Sequence, residues 1–181
     1  MVTRVANTSV ALGTLLILYS GALTIQRYNP SRLWFSTVPQ QAIGGNHPHK
    51  PERVVIKSAE IDTPVVTVPQ FENRWELTPH GAAWLETSPA PGMRGNSILY
   101  GHNWSSIFLN LTKVKPGDDI EVYMSDGSRR IFVVTATQTV SPDAIGVLKP
   151  AKDRHLTLYT CTGFLDSKRF VVSATLMNLP L

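Results

Sequence analysis

Three residues carry the chemistry that can be asked of this chain. Cys161 is the only cysteine among 181 residues, so it serves neither an internal disulfide nor a cysteine-rich metal site. Packing or reactivity remains. A thiol beside a fixed positive charge favours the thiolate that attacks carbonyl carbon, whereas a lone thiol among apolar neighbours is a small hydrophobe. The stretch HLTLYTCTGFLDSKRFVVSATL, residues 155 to 176, decides which charge stands beside it. Alternation places Leu156, Leu158 and Thr160 on one face of a first strand, with Thr157, Tyr159 and Cys161 on the other. In a second strand Phe170, Val172, Ala174 and Leu176 share a face, opposite Arg169, Val171, Ser173 and Thr175. A hairpin centred on Leu165 sets position 161 against 169 and 160 against 170, which buries the two leucines beside Phe170 and Val172. A slip of one residue breaks that match. The pattern therefore predicts Cys161 and Arg169 together on the face turned away from the core. Arg cannot serve as a base, but it can donate hydrogen bonds to an oxyanion or to the peptide carbonyl that becomes one.

That hairpin lacks a proton carrier. His47 and His49 fall in a proline-rich stretch and read as solvated linker, since no third metal ligand accompanies them. His80 follows a proline in a loop, and His155 opens the cysteine strand at its far end. His102 directly follows the run SILYG, so a strand end delivers it to the rim of a β-domain, where loops carry chemistry. Two readings of it stand: a turn or cap residue, or a general acid and base.

The elements that must position these residues begin at residue 52. Short β-branched runs recur (RVVIK, PVVTV, NSILYG, DIEVYM, RRIFVVTATQTV, HLTLYT and RFVVSATLM), separated by Pro, Gly, Asp and Ser. They predict a mainly β domain, a closed or nearly closed barrel or a sandwich, with a few short helices. PGDD at 116 to 119 and SDGS at 125 to 128 have tight-turn chemistry, the second joining two strands. Helices are expected in WSSIFLNLTKV, starting near Ser105 or Ser106, and in PHGAAWLET.

The rest of the chain concerns location. Between Arg4 and Arg27 lie 22 residues without a charge, which as a helix would span roughly 33 Å against a hydrocarbon core of about 30 Å. Residues 1–27 are read as a retained membrane anchor; the rival is a cleaved secretory signal with Ser20-Gly21-Ala22 at its cleavage site. Either exports the remainder of the chain. Residues 28–51 hold four prolines and a Gly pair, a linker in which Trp34 and Phe35 rest at the membrane interface or pack on the domain. Residues 52–181 form the domain. The 17 Lys and Arg exceed 13 Asp and Glu by four, but they are scattered, and a nucleic-acid partner is not expected.

LYGHNW, then TLYTCTG with Cys161 59 residues after His102, then Arg169 eight further on, resemble in their order the signature of sortases, the membrane-anchored cysteine transpeptidases of bacterial surfaces. Thr157-Leu158-Tyr159-Thr160-Cys161 matches that family's TLxTC motif, and Arg169 its arginine. APGMRGNSILYGH resembles the segment leading into the family's His, and PERVVIKSAEIDTPVV its first two strands; the similarity covers about residues 51–178. The resemblance implies an eight-stranded sortase-type barrel after an N-terminal transmembrane helix, with its catalytic domain outside the cell. It also implies that Cys161 attacks a carbonyl of an LPxTG-like sorting signal and becomes thioacylated. His102 would protonate the leaving amine and deprotonate the incoming one, from a peptidoglycan precursor or a pilin lysine, while Arg169 steadies the oxyanion or orients the substrate. Thr160, Thr162 and Asn103 are assigned to substrate binding. No cofactor or metal is expected: the stretch 140–155 has only Asp143 and Asp153 as acids, unlike calcium-binding members. Residues 28–51 hold no acid at all, so a lid with an acidic-aromatic motif is not expected. The subclass stays open. Competing readings are an exported Cys/His peptidase, though papain-type enzymes place Cys before His and use Asn as third group; a peptidoglycan-crosslinking cysteine transpeptidase, whose Ser-x-Gly-Cys context is absent; and a non-catalytic membrane-tethered β-domain with Cys161 as filling.

Overall fold

The computed structural model describes residues 2–27, 47–68, 70–71, 74–75 and 78–177. Its strands are β1 (Pro51–Ile56), β2 (Ile61–Val68), β3 (Gln70–Phe71), β4 (Arg74–Trp75), β5 (Ala82–Leu85), β6 (Gly95–Gly101), β7 (Asp119–Met124), β8 (Arg129–Val140), β9 (Arg154–Thr162) and β10 (Lys168–Leu176). Eight of them close a barrel in the order β1-β2-β5-β6-β9-β10-β8-β7, and β3 and β4 pair apart as a two-stranded ribbon. Neighbours run antiparallel except β2 with β5 and β6 with β9. Every run read from the sequence as a strand is one. A barrel of this strand number is just narrow enough for side chains to fill, and Val54, Ile56, Trp84, Leu99, Phe132, Leu156, Leu158 and Val172 do so.

A second apolar layer lies outside the barrel wall. Leu85, Ile98, Tyr100, Tyr159 and Val171 are covered there by Ile145, Val147 and Leu148 of the β8–β9 connection, burial worth about 1.5–3 kcal/mol for a fully covered side chain such as Leu148. Asn96 fastens the cover. Its Nδ2 donates to the Lys149 carbonyl at 3.2 Å and its Oδ1 accepts from the Thr157 hydroxyl at 2.8 Å.

This double burial explains where the expected helices are absent. AAWL in PHGAAWLET is strand β5, because Ala82 and Trp84 face the barrel core while Ala83 and Leu85 face the outer layer. A run buried on both faces shows no alternation, and periodicity cannot separate it from a buried helix. WSSIFLNLTKV is a series of turns ending in a 3-10 segment, Leu109–Lys113. The amide of Ile107 donates to the Trp104 carbonyl at 2.9 Å and that of Phe108 to the His102 carbonyl at 3.1 Å, which sends Ile107, Phe108 and Leu111 into the barrel mouth without a regular helix. The turns at 116–119 and 125–128 form as expected, with Gly117 and Gly127 at φ 94° and 77°.

His47 corrects the linker reading. It is 6% exposed, its ring edge-on to Trp84 with centroids 5.3 Å apart. Lys50 and Ser125 exchange hydrogen bonds of 3.0 and 2.8 Å, so residues 47–50 are strapped to the domain ahead of β1. Trp34 and Phe35 lie outside the described residues. The N-terminal segment forms one helix, α1 (Val2–Arg27), on which the consecutive Leu15, Leu16, Ile17 and Leu18 are all exposed, among exposed polar residues such as Asn7, Thr14, Ser20 and Thr24. Among the described residues no helix is long and apolar enough to cross a membrane.

A carboxylate is buried at the barrel wall as well. Glu121, with its side chain 9% exposed, accepts from Lys57 at 2.7 Å, Tyr123 at 2.8 Å and Arg129 at 3.0 Å. The Lys57 ammonium, then the Tyr123 hydroxyl, hold its carboxyl down at about 2. A depressed carboxylate stabilises the fold above its ordinary value, and that stability drains away as pH falls from 4.5 through about 2. Glu121→Gln is expected to cost about 1–3 kcal/mol at neutral pH, and to flatten the dependence of urea stability on pH in that acid window.

Candidate active site

Cys161 lies on β9, between β6 and β10. Cys161 pairs with Arg169, Thr160 with Phe170 and Leu158 with Val172, the register that core matching demands. In the parallel pair Gly101 stands level with Thr160, so the next residue, His102, comes level with Cys161. One rung across three neighbouring strands thus carries His102, Cys161 and Arg169 in that order. Cys161 and Arg169 continue the line of Tyr159 and Val171 on the outer face, at the margin of the outer apolar layer.

The strand end that presents His102 is tightly built. A Cβ on Gly101 would stand 2.6 Å from Cγ2 of Ile107 and 3.2 Å from Cδ2 of Phe108, so no larger residue fits without shifting the turn. The hydroxyl of Thr160 donates to the Gly101 carbonyl at 2.8 Å. The His102 ring stacks on Trp104, centroids 4.2 Å apart and planes 8° from parallel. Burial pushes the His102 pKa below its ordinary 6.5, while Asp166 pulls it the other way. The imidazole is therefore poised neutral at neutral pH, able to accept a proton.

Arg169 is held from below. Its Nη1 donates to the carbonyls of Asp166 at 2.9 Å and Lys168 at 3.0 Å, so the β9–β10 turn aims the guanidinium. That turn is unusual in its backbone: besides Gly163, Leu165 and Asp166 take positive φ of 52° and 60°. Such a conformation in a residue with a side chain costs of order 1 kcal/mol or more and concentrates at functional sites. Asn103 Nδ2 donates to Asp166 Oδ1 at 3.1 Å, tying the histidine turn to the arginine turn. Cys161 between them is only 4% exposed and Arg169 2%. At the rim Phe164 stands 80% exposed.

The three residues assigned to substrate binding fare differently. Thr160 is fully buried with its hydroxyl given to Gly101, so its side chain braces the histidine strand and offers nothing to a substrate. Thr162, half-buried, ends β9 opposite Lys168. Asn103, half-buried, reaches Asp166. Sequence reasoning passed over Trp104 and Asp166; their signals were an aromatic two places after the histidine and the one acid in the turn before the arginine. Among the described residues no three His, Cys, Asp or Glu side chains gather as a metal site.

Cutting the tie between the turns tests what covers the sulfur. Asn103→Ala is expected to raise the alkylation rate of Cys161 at neutral pH several-fold, with a loss of about 1 kcal/mol in stability. An unchanged rate would mean that the cover does not depend on this bond.

The domain has known relatives. A family model described as Sortase domain matches residues 54–177, a stretch that includes His102, Cys161 and Arg169. Sortase A of Listeria monocytogenes is 33% identical over 96 residues, which are 50% of this chain and 42% of that protein; the match thus spans less than half of that relative. Among solved structures, Listeria monocytogenes sortase A shares 28% identity at a TM-score of 0.58, covering 70% of this chain and 86% of the other. A lid mutant of sortase A from Corynebacterium diphtheriae shares 24% at 0.63, covering 75% and 74%, and a sortase D5 transpeptidase of Clostridium perfringens 21% at 0.60, covering 71% and 79%; these two speak for the fold alone. With two thirds of its length matched by that family model and an eight-stranded barrel shared with several of its members, the chain belongs to the sortase family.

Proposed function

We propose that the chain is an exported cysteine transpeptidase that cleaves an LPxTG-like sorting signal and joins the acyl part to an amine, on a peptidoglycan precursor or a pilin lysine. The observation that carries this reading is the single rung of imidazole, thiol and guanidinium in a domain of the sortase family. The neutral imidazole of His102 takes the thiol proton as Cys161 Sγ bonds to the carbonyl carbon. Arg169, on the other side of the sulfur, donates to the oxygen that becomes negative. His102 then passes its proton to the departing amine, the C–N bond breaks, and a thioester to Cys161 remains. An incoming amine gives its proton to His102 and displaces the sulfur, which regains it. A nearly closed sulfur favours a bound amine over water as the acceptor.

Location follows the same reading. The 22 charge-free residues between Arg4 and Arg27 support a single-pass membrane anchor in this reading, on the sequence and not on the helix among the described residues, and the barrel then works outside the cell, where a surface-protein precursor and its acceptor both lie.

Incubating the detergent-solubilised full chain with a library of sorting-motif peptides and an excess of a short amine peptide is the test. Transfer products are expected. Cys161→Ala should abolish them, and Arg169→Ala should lower kcat by about 100-fold or more with circular dichroism unchanged. Cleavage with water as the sole acceptor would point to a peptidase instead, and a folded chain inert to every peptide would leave a β-domain without catalysis.

The pH profile is a separate check. Because burial depresses His102, its limb in the profile of kcat/KM should lie below pH 6.5. Asp166→Asn removes the group that pulls it upward, so the limb should move further toward acid.

A further inference from the structure

The barrel wall stops short along one strand. β8 runs for 12 residues, but β7 covers only its first part, the last rung of that pair being Asp119 with Val133. One residue further on, Val134 still finds partners on that side, donating to the Asp118 carbonyl at 2.9 Å and accepting from the Gly117 amide at 2.8 Å. Thr135 is then the extra residue of a bulge, since Ser173 of β10 pairs with Ala136 and Ala174 with Val134. From there to Val140 the strand is paired by β10 alone. Among the described residues no backbone group of another segment reaches its other edge.

Side-chain direction tells which groups face that edge. Val134 lies in the barrel core, and Thr137 and Thr139 stand opposite Val172 and Phe170, which belong to that core or pack on it. On one strand of L-residues, side chains that share a face leave their N–H and C=O groups on a shared edge. Thr137 and Thr139 therefore turn theirs as Val134 does, away from β10 and toward solvent. The stretch Thr135-Ala136-Thr137-Gln138-Thr139-Val140 carries neither charge nor proline, the devices that ordinarily guard a free edge. Thr135, Ala136, Gln138 and Thr139 are exposed. An open edge of this kind is a template for another strand.

We propose that the edge pairs with the same edge of a second copy of the chain, antiparallel and centred on Gln138. In that register the amides of Thr137 and Thr139 donate to the carbonyls of the partner subunit's Thr139 and Thr137, and accept the reverse bonds, so every open group of both edges is used. Threonine meets threonine on one face of the joint, and Gln138 meets the partner subunit's Gln138 on the other. Centred on Thr137 instead, the pairing would set Thr139 against the bulge. The length fits too: past Val140 each strand would run into Gly117 and Asp118 of the other copy, and there Pro142 turns it aside. Two chains of net charge +4 meet through uncharged strands, so no like charges are apposed. Such a self-complementary joint closes at two copies. Its two-fold axis stands perpendicular to the shared sheet, so both rungs of His102, Cys161 and Arg169, each level with Val140, open on one side with their sulfurs roughly 30 Å apart. The pairing rests on no reading of the reaction.

A thiol on the axis tests the proposal. Gln138→Cys in a Cys161→Ala background sets one thiol opposite its twin at a non-hydrogen-bonded position, with Cα atoms about 4.5 Å apart, within disulfide reach. Under a mild oxidant most of the detergent-solubilised full chain should become a disulfide-linked dimer. Lys152→Cys in the same background, exposed two residues ahead of β9 at the other end of the barrel, should remain single. Thr137→Pro removes an N–H that β10 does not use, so circular dichroism should stay unchanged. The association constant of that variant, read by light scattering under reducing conditions, should fall about 10-fold or more. Gln138→Glu, which sets two like charges across the axis without touching the backbone, should weaken association as well. A native chain of one-copy mass at every concentration, crosslinking at Gln138→Cys no faster than at Lys152→Cys, or a dimer that both weakening variants leave intact would overturn the pairing. A one-copy chain whose amides at 137 and 139 slow in hydrogen exchange only when a sorting-motif peptide is added would overturn the second copy and give the edge to a substrate segment.

Discussion

The register of β9 against β10 is the constraint on which the rest of this molecule depends. Leu156 and Leu158 reach the barrel interior only if Val172 and Ala174 come down beside them, and that pairing leaves Cys161 nowhere but opposite Arg169. A slip of β9 by one residue would turn Leu156 and Leu158 out of the core and Tyr159 and Cys161 into it. Each leucine so displaced forfeits about 1.5–3 kcal/mol, together a large part of the stability of a typical domain. The juxtaposition of thiol and guanidinium is thus fixed by packing several residues away from the chemistry. No contact between the two side chains is needed to hold them there.

His102 reaches the same rung by a different route. β6 and β9 are parallel, and the two strands β7 and β8 intervene between them along the chain, so their adjacency comes from closure of the barrel. At the finish of β6 the chain must turn at once into the barrel mouth, and the absent side chain at Gly101 lets Ile107 and Phe108 close over the strand end. The hydroxyl of Thr160 then locks that end to β9, one residue before the sulfur. A threonine in the fourth place of the TLxTC pattern is accordingly a brace between the histidine strand and the cysteine strand.

The reach of the sequence is set by these two routes. The hairpin was legible because alternation, turn residues and the core match all act within 22 residues of chain. Seven of the barrel strands announced themselves in the same way, by β-branched runs between turn residues. Strand β5 did not, since both of its faces are buried and its alanines carry no strand preference. The level of His102 with Cys161 was beyond local pattern altogether; only likeness to a family put the histidine beside the thiol. His47 misled for the opposite reason, because a histidine between an asparagine and a proline looks solvated until a buried tryptophan far along the chain supplies its partner.

On the transpeptidase reading proposed above, the near closure of the sulfur sets how the site would work. A thiol at 4% exposure between a stacked imidazole and a buried guanidinium cannot meet a peptide carbonyl in this arrangement, so binding must part the two turns that Asn103 and Asp166 join. The β9–β10 turn is suited to that. Its left-handed Leu165 and Asp166 store conformational strain that a rearranged turn would release, offsetting the lost hydrogen bond of about 1 kcal/mol. Only a ligand whose contacts differ between the closed and opened turns can shift the balance, and water makes no such contacts. An extended peptide laid along the rim past Phe164 would make many. On that reading, selectivity for a substrate over water would begin before any bond is made, in the cost of uncovering the proposed nucleophile.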